Sequence, residues 1–167
     1  MVNVLYKIYE ALRVIAYNTQ VATEIFAEIF LYDNSTADTI PTGTTYTKLL
    51  RWSANGQNAN CIPDYSNGKI TATQPGKYEV IVELSGHFSK SITVESAIHL
   101  DEVIQNNIKK KHCIKNVNEC YTVTLSGFID VTSENQDIDI RLRHDDGSSV
   151  NVTVIDANLT AKYIGRT

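Results

Sequence analysis

The stretch Pro75-Gly76-Lys77-Tyr78-Glu79-Val80-Ile81-Val82-Glu83-Leu84 passes from turn residues into strict alternation of side chains. Tyr78, Val80, Val82 and Leu84 share one face, and Glu79, Ile81 and Glu83 the other, the period of two that marks a strand with one buried side. Pro75 has no N–H to give to a ladder and Gly76 permits an unusual backbone, so the strand is predicted to begin there.

Around it the texture stays extended. Thr44 to Trp52 alternates weakly and is followed by an expected loop at Asn55-Gly56-Gln57-Asn58. Cys61–Tyr65 and Lys69–Thr73 flank Asn67-Gly68, a short-hairpin signal. After the central strand, one strand is expected through Ile92 and Val94 and another through Ile98 and Leu100, before an acidic turn at Asp101-Glu102. Tyr121, Val123 and Leu125 begin a strand expected to bulge at Gly127 and run on to Val131. Ile138, Ile140 and Leu142 alternate with charged residues, Asp146-Gly147 turns the chain into Val150–Val154, and Leu159–Ile164 closes the series. Roughly eight to ten short strands with no second helix predict an all-β, two-sheet jelly-roll sandwich.

The N-terminal stretch has a different period. Leu5, Ile8, Leu12, Ile15, Thr19, Ala22, Phe26 and Ile29 are spaced three and four apart. They place Leu5, Leu12, Thr19 and Phe26 at a and Ile8, Ile15, Ala22 and Ile29 at d of a heptad, which predicts an α-helical coiled-coil stalk of more than two strands. Further apolar residues at Val4, Tyr9, Ala11, Ile25 and Phe30 widen the helix face beyond the seam. The predicted organisation is a helical trimerisation and anchor stalk over residues 1–32, a linker over 33–43 and a jelly-roll head over 44–167.

Composition bounds the function. The chain has 167 residues, 43% of them apolar, enough for one core, and a formal charge of −4. That balance argues against wrapping a phosphate backbone, which needs a clustered basic surface. The basic run Lys109-Lys110-Lys111 reads as a solvated loop or the guard of an edge strand. No apolar run is long enough to span a bilayer, and the start Met1-Val2-Asn3-Val4 lacks the basic and small-residue signals of a secretory leader. Reduced thiols are therefore expected at the three cysteines, although Cys113 and Cys120 flank a polar segment that a disulfide could close as a hairpin.

The order of landmarks resembles the complement-globular-head branch of the tumour necrosis factor-like jelly rolls, in the versions found in bacteriophage structural proteins. Gly76-Lys77-Tyr78 is similar to the family's Gly-x-Tyr start of its central strand, preceded by a hairpin resembling Asn67-Gly68-Lys69-Ile70-Thr71. Phe128-Ile129-Asp130-Val131 followed by Gln136-Asp137-Ile138-Asp139-Ile140 is similar to its late motif, with Gln136 where the family has glycine. Leu159-Thr160-Ala161-Lys162-Tyr163-Ile164-Gly165 resembles the final strand, which in the family returns to the middle of the inner sheet. The resemblance covers residues 44–167 and implies a homotrimer with inner sheets packed around a threefold axis. On that reading Tyr78, Tyr121 and Tyr163 are candidates for the axis, since rings bring contact area at low entropic cost.

No catalytic constellation is read from the sequence: there is no nucleophile elbow, phosphate loop or placeable carboxylate pair. His87, His99, His112 and His144 are scattered without metal-ligand spacing and are expected at surface or edge positions. Asp145 and Asp146 precede Gly147 where some globular heads carry calcium, but two carboxylates fall short of six to eight oxygens. Neither a cofactor nor a metal is therefore expected. Trp52 reads as a strand-end packing residue or the wall of a sugar pocket.

The resulting expectation is a non-enzymatic, trimeric virion protein, a bacteriophage head fibre, spike or capsid decoration made in the host cytoplasm. Its helix would hold the capsid or another virion protein, and its head would be exposed for decoration or for adhesion to a host receptor or glycan. Nucleic-acid binding and membrane insertion are not expected. The alternatives are a phage tail receptor-binding protein and a cellular trimeric recognition or signalling ligand of the same fold.

Overall fold

The computed structural model describes residues 24–41, 45–117 and 119–165. In chain order the strands are β1 (Phe26–Leu31), β2 (Asp38–Ile40), β3 (Thr47–Lys48), β4 (Ala54–Ala59), β5 (Cys61–Asp64) and β6 (Lys69–Ala72). They continue as β7 (Gly76–Phe88), β8 (Ile92–Leu100), β9 (Val103–Ile114), β10 (Tyr121–Val131), β11 (Gln136–His144) and β12 (Val150–Gly165). One sheet runs β10-β7-β12-β1-β4 with β2 beside β12, and the other β5-β6-β11-β8-β9 with β3 beside β11. All of the strand pairs are antiparallel. This is the all-β, two-sheet jelly-roll sandwich that the alternation predicts.

The core lies between the sheets. Tyr78, Val80, Val82 and Leu84 of β7 are all buried and meet Ile138, Ile140 and Leu142 of β11 and Val94 and Ile98 of β8 in one apolar cluster. Burying each such aliphatic side chain stabilises the fold by about 1.5–3 kcal/mol before entropy is counted. Gly76 begins β7 at φ 146°, a conformation that L side chains rarely adopt, and Tyr163 and the Gly165 carbonyl fill the space its side chain would need. The β5–β6 hairpin closes through a short 3₁₀ turn, Tyr65–Asn67. Asp64 caps that turn, accepting from Asn67 N at 3.1 Å and Ser66 Oγ at 2.7 Å. The β8–β9 hairpin turns on Asp101 (φ 45°) and Glu102 (φ 70°), two positive values in succession as in a type I′ turn.

Several expectations are corrected. Phe26 and Ile29, read as heptad positions, lie in β1, so the predicted helix does not extend through them; Ala27, Ile29 and Leu31 point into the core. Spacings of three and four also satisfy alternation when alternate residues are apolar on both faces, and β1 has apolar residues on both. The other seam positions, Leu5, Ile8, Leu12, Ile15, Thr19 and Ala22, lie outside the described residues. The expected linker contains β2, paired through Asp38–Ile40 with Val150–Val152. The expected loop at 55–58 is part of β4, an edge strand beside β1.

Ile92 to Leu100 forms one strand rather than two, and residues 150–165 likewise form one, with the register shift between Val154 and Asp156 accounting for the apparent break. Gly127 is not a bulge, because β10 stays in register with β7 from Tyr121 to Val131. Cys113 and Cys120 do not close a hairpin: β9 and β10 belong to different sheets, and all three cysteines are free. Trp52 is buried, and its indole N–H donates to Leu49 O at 2.8 Å, so it packs under the β5–β6 turn rather than lining a pocket. His99 and His144 are buried, against the surface positions expected for them.

Candidate interaction face

The side of the β10-β7-β12-β1-β4 sheet that faces away from the core presents side chains in rows fixed by strand register. Phe128, Glu79, Lys162 and Phe26 stand level across β10, β7, β12 and β1. One step along come Ser126, Ile81, Thr160 and Glu28, and the next row is Thr124, Glu83, Asn158 and Phe30. The middle of the face is thus Ile81, an aliphatic side chain 37% exposed, with small hydroxyls on both sides. Around it lie Phe128, 51% exposed, Tyr32, 71%, and Ile164, 47%.

The polar groups of the face are partly paired among themselves. Asn158 Nδ2 donates to Glu28 Oε1, and Thr160 Oγ1 donates to Asn158 Oδ1 at 2.9 Å. Lys77 Nζ stands 3.5 Å from Asp130 Oδ1. A groove of about 420 Å³ runs past Phe30, Tyr32, Glu83, Ser85 and Asp156. Ile81 is thus ringed by Ser126, Thr160, Glu79 and Glu83, whereas Phe128 stands on the outermost strand β10 and Tyr32 just past the end of β1.

The aromatics expected at an axis turn the other way. Tyr78 is fully buried inside its own subunit, donating its hydroxyl to Gln74 O at 3.0 Å and meeting the Tyr163 ring edge-on at 5.4 Å. Tyr163 shares the inward side of β12 with Leu159 and Ala161. Tyr121 packs on Phe88 with ring centres 4.8 Å apart, and its hydroxyl has no partner among the described residues. Burial without a compensating acceptor pushes the Tyr121 phenol well above its ordinary value. The outward aromatics are instead Phe26, Phe30, Tyr32 and Phe128. The signal was present for Phe128, which alternates with the inward Ile129 and Val131.

Chemistry elsewhere is sparse. Among the described residues no three His, Cys, Asp or Glu side chains converge as a metal site. The Asp145 and Asp146 carboxylates diverge, Asp145 Oδ1 accepting from Thr93 N at 3.1 Å and Asp146 Oδ1 from Ser148 N at 2.8 Å. Lys90 Nζ also stands 3.3 Å from Asp146.

No family model matches the chain, and no curated protein is found as a relative. Among solved structures it is similar to Eiger TNF from S. frugiperda, with a TM-score of 0.61 over 86% of this chain and 95% of that one, at 8% identity. The chain has the tumour necrosis factor-like jelly-roll fold. Within this fold β12, the last strand described, lies between β7 and β1, the middle position that the resemblance of residues 159–165 implies.

Proposed function

We propose that this protein is a non-enzymatic homotrimer, a tumour necrosis factor-like head displayed on the surface of a bacteriophage or similar virus particle. The observation that carries the reading is the outward face centred on Ile81. It sets Ile81 between the Ser126 and Thr160 hydroxyls, with exposed Phe128 and Tyr32 on the same side of the sheet, and a second copy would remove those apolar side chains from water. Three copies around an axis would leave the β5-β6-β11-β8-β9 sheets and their loops outside, free to cover a capsid or to adhere to a host surface. Residues before β1 would hold the head to the capsid or a partner protein.

The test is light scattering on the intact protein and on Ile81→Arg. A trimer mass for the first, and a monomer with unchanged β-sheet circular dichroism for the second, support the reading; a monomeric intact protein overturns it. The virion assignment is tested separately, by searching purified particles for the protein.

A second reading, a cellular trimeric recognition ligand, is favoured by the similarity to Eiger TNF. Asn34-Ser35-Thr36, Asn151-Val152-Thr153 and Asn158-Leu159-Thr160 match the acceptor pattern for N-linked glycans, and glycans there, or a Cys113–Cys120 disulfide in protein from its native source, would decide for it.

A further inference from the structure

Along one side the two sheets meet at a seam that has no ladder. β9 is the last strand of its sheet and β10 of the other, and among the described residues no backbone hydrogen bond joins them. Side chains hold the seam instead. Ile108 fills the space beside Gly127, and Asn107 Nδ2 donates to Phe128 O at 2.9 Å.

His112 sits on the inner side of this seam. It stands level with Val94, which is 1% exposed, so its ring shares the inward side of the sheet with Val94 and, two residues on, Ile114. Its Nε2 is buried and has no hydrogen-bond partner among the described residues.

A charge on this ring would find little to offset it. The neighbouring inward position of β9 is Lys110, another cation. β8 contributes the apolar Val94, and β11 beyond it contributes His144, whose nitrogens are both engaged. His144 Nδ1 accepts from Asp146 N at 3.2 Å, and Nε2 lies 3.1 Å from Ile40 O. At the end of the seam a cavity of about 250 Å³ is lined by His112, Cys113, Lys115, Glu119, Cys120 and Tyr121. Glu119, the single carboxylate of that lining, is exposed and accepts from Asn116 Nδ2 at 2.9 Å. Burial and the Lys110 ammonium together hold the His112 imidazole below its ordinary 6.5.

We propose that the β9–β10 seam is an acid-sensitive opening, in which His112 is neutral while the strands are closed and takes a proton from solvent when they part. Parting uncovers Ile108 and Ile114, which the closed seam keeps buried. The open form binds a proton at the ordinary 6.5 and the closed form only at a lower pH, so opening gains as pH falls below 6.5 and is unaffected well above it. The gain cannot exceed that of a free imidazole, about thirtyfold at about pH 5. The device is built from the side chains of one subunit and does not depend on threefold packing.

The experiment places a thiol inside the seam. Leu125 of β10 is buried on the inward side, two residues from Gly127. Leu125→Cys is made in the full chain with Cys113→Ser and Cys120→Ser. Its labelling by dithiodipyridine is followed by mass spectrometry at about pH 7.5 and about pH 5, each rate divided by that of the unfolded chain. Labelling is expected to rise several-fold at the lower pH, within the thirtyfold bound, and His112→Gln is expected to abolish the rise. An NMR titration of the imidazole in the unaltered chain is expected to place His112 below 6.5. No rise in labelling, an equal rise in the His112→Gln protein, loss of the rise with His144→Gln instead, or a His112 titration at or above 6.5 would overturn the proposal.

Discussion

Ile108 of β9 occupies the space that a side chain at Gly127 of β10 would need. A Cβ on Gly127 would lie 2.7 Å from Ile108 Cγ1, so the edge of one sheet closes on the edge of the other through a glycine. Gly127→Val should therefore destabilise the protein by about 1–3 kcal/mol, the usual range for overpacking. Urea unfolding checks this. Adding Ile108→Ala should make the glycine substitution less costly than it is alone, because the two residues compete for one volume. Strictly additive losses would rule out the contact as the cause.

Glu95 sets part of the acid stability. Burial pushes its carboxyl up, but hydrogen bonds from Tyr46 and Arg143 and the charges of Arg143 and Lys109 outweigh that, and the net is a carboxyl held below its ordinary 4.5. A carboxyl depressed in the folded state binds fewer protons there than in the unfolded chain. Its contribution is complete above 4.5 and fades as pH falls through the folded value. Glu95→Gln should cost about 1.5–3 kcal/mol near neutral pH, because the hydrogen bonds that Tyr46 and Arg143 donate to a buried carboxylate are weakened. The gap from wild type should narrow under acid, read as the difference in urea midpoints. A gap independent of pH would mean that charge is not what Glu95 contributes.

The β8–β9 turn depends on Asp101 twice over. Its carboxylate accepts from Asp137 N at 2.7 Å and Gln136 Nε2 at 2.9 Å, and its backbone sits at φ 45°. Asp101→Ala loses the bonds and places a Cβ-bearing residue with no local acceptor in the left-handed region, for about 2 kcal/mol in total. Asp101→Gly loses the bonds but not the conformational ease, so thermal unfolding should place it between wild type and the alanine variant.

The thiols should separate by reactivity. Cys113 and Cys120 are exposed, whereas Cys61 is buried and burial pushes its thiol up. Two thiols are expected to react with a chromogenic disulfide in the folded protein and the third only on unfolding. Rapid reaction of all three would place Cys61 outside the core.

What the sequence made legible was strongest where one period acted alone. The alternation in Pro75–Leu84 located β7, the Asn67-Gly68 signal located the β5–β6 hairpin, and Ile138, Ile140 and Leu142 located β11. It misled where two periods coincide. Phe26, Ile29 and Phe30 satisfy a helical spacing and an alternation together, and only pairing with Lys162, Leu159 and Asn158 selects the strand. The outward side chains were not legible for a related reason. Tyr78, Tyr121 and Tyr163 occupy inward positions, whereas Phe128 and Tyr32 are turned outward, a choice fixed by register across strands distant in sequence. The Glu95 cluster left no local trace, because Tyr46, Glu95, Lys109 and Arg143 come from four separate segments.

Because β12 lies between β7 and β1, its two neighbours remain unjoined until residues 150–165 have left the ribosome. Until then a nascent chain carries two long bare strand edges, one on β7 and one on β1, each able to template pairing with another chain. Closing this sheet is therefore a late, long-range event, slow by the general relation between sequence separation and folding rate. A chain truncated before residue 150 would lose the seam of the sheet rather than its hem, and it should be found in aggregates rather than as a smaller soluble head.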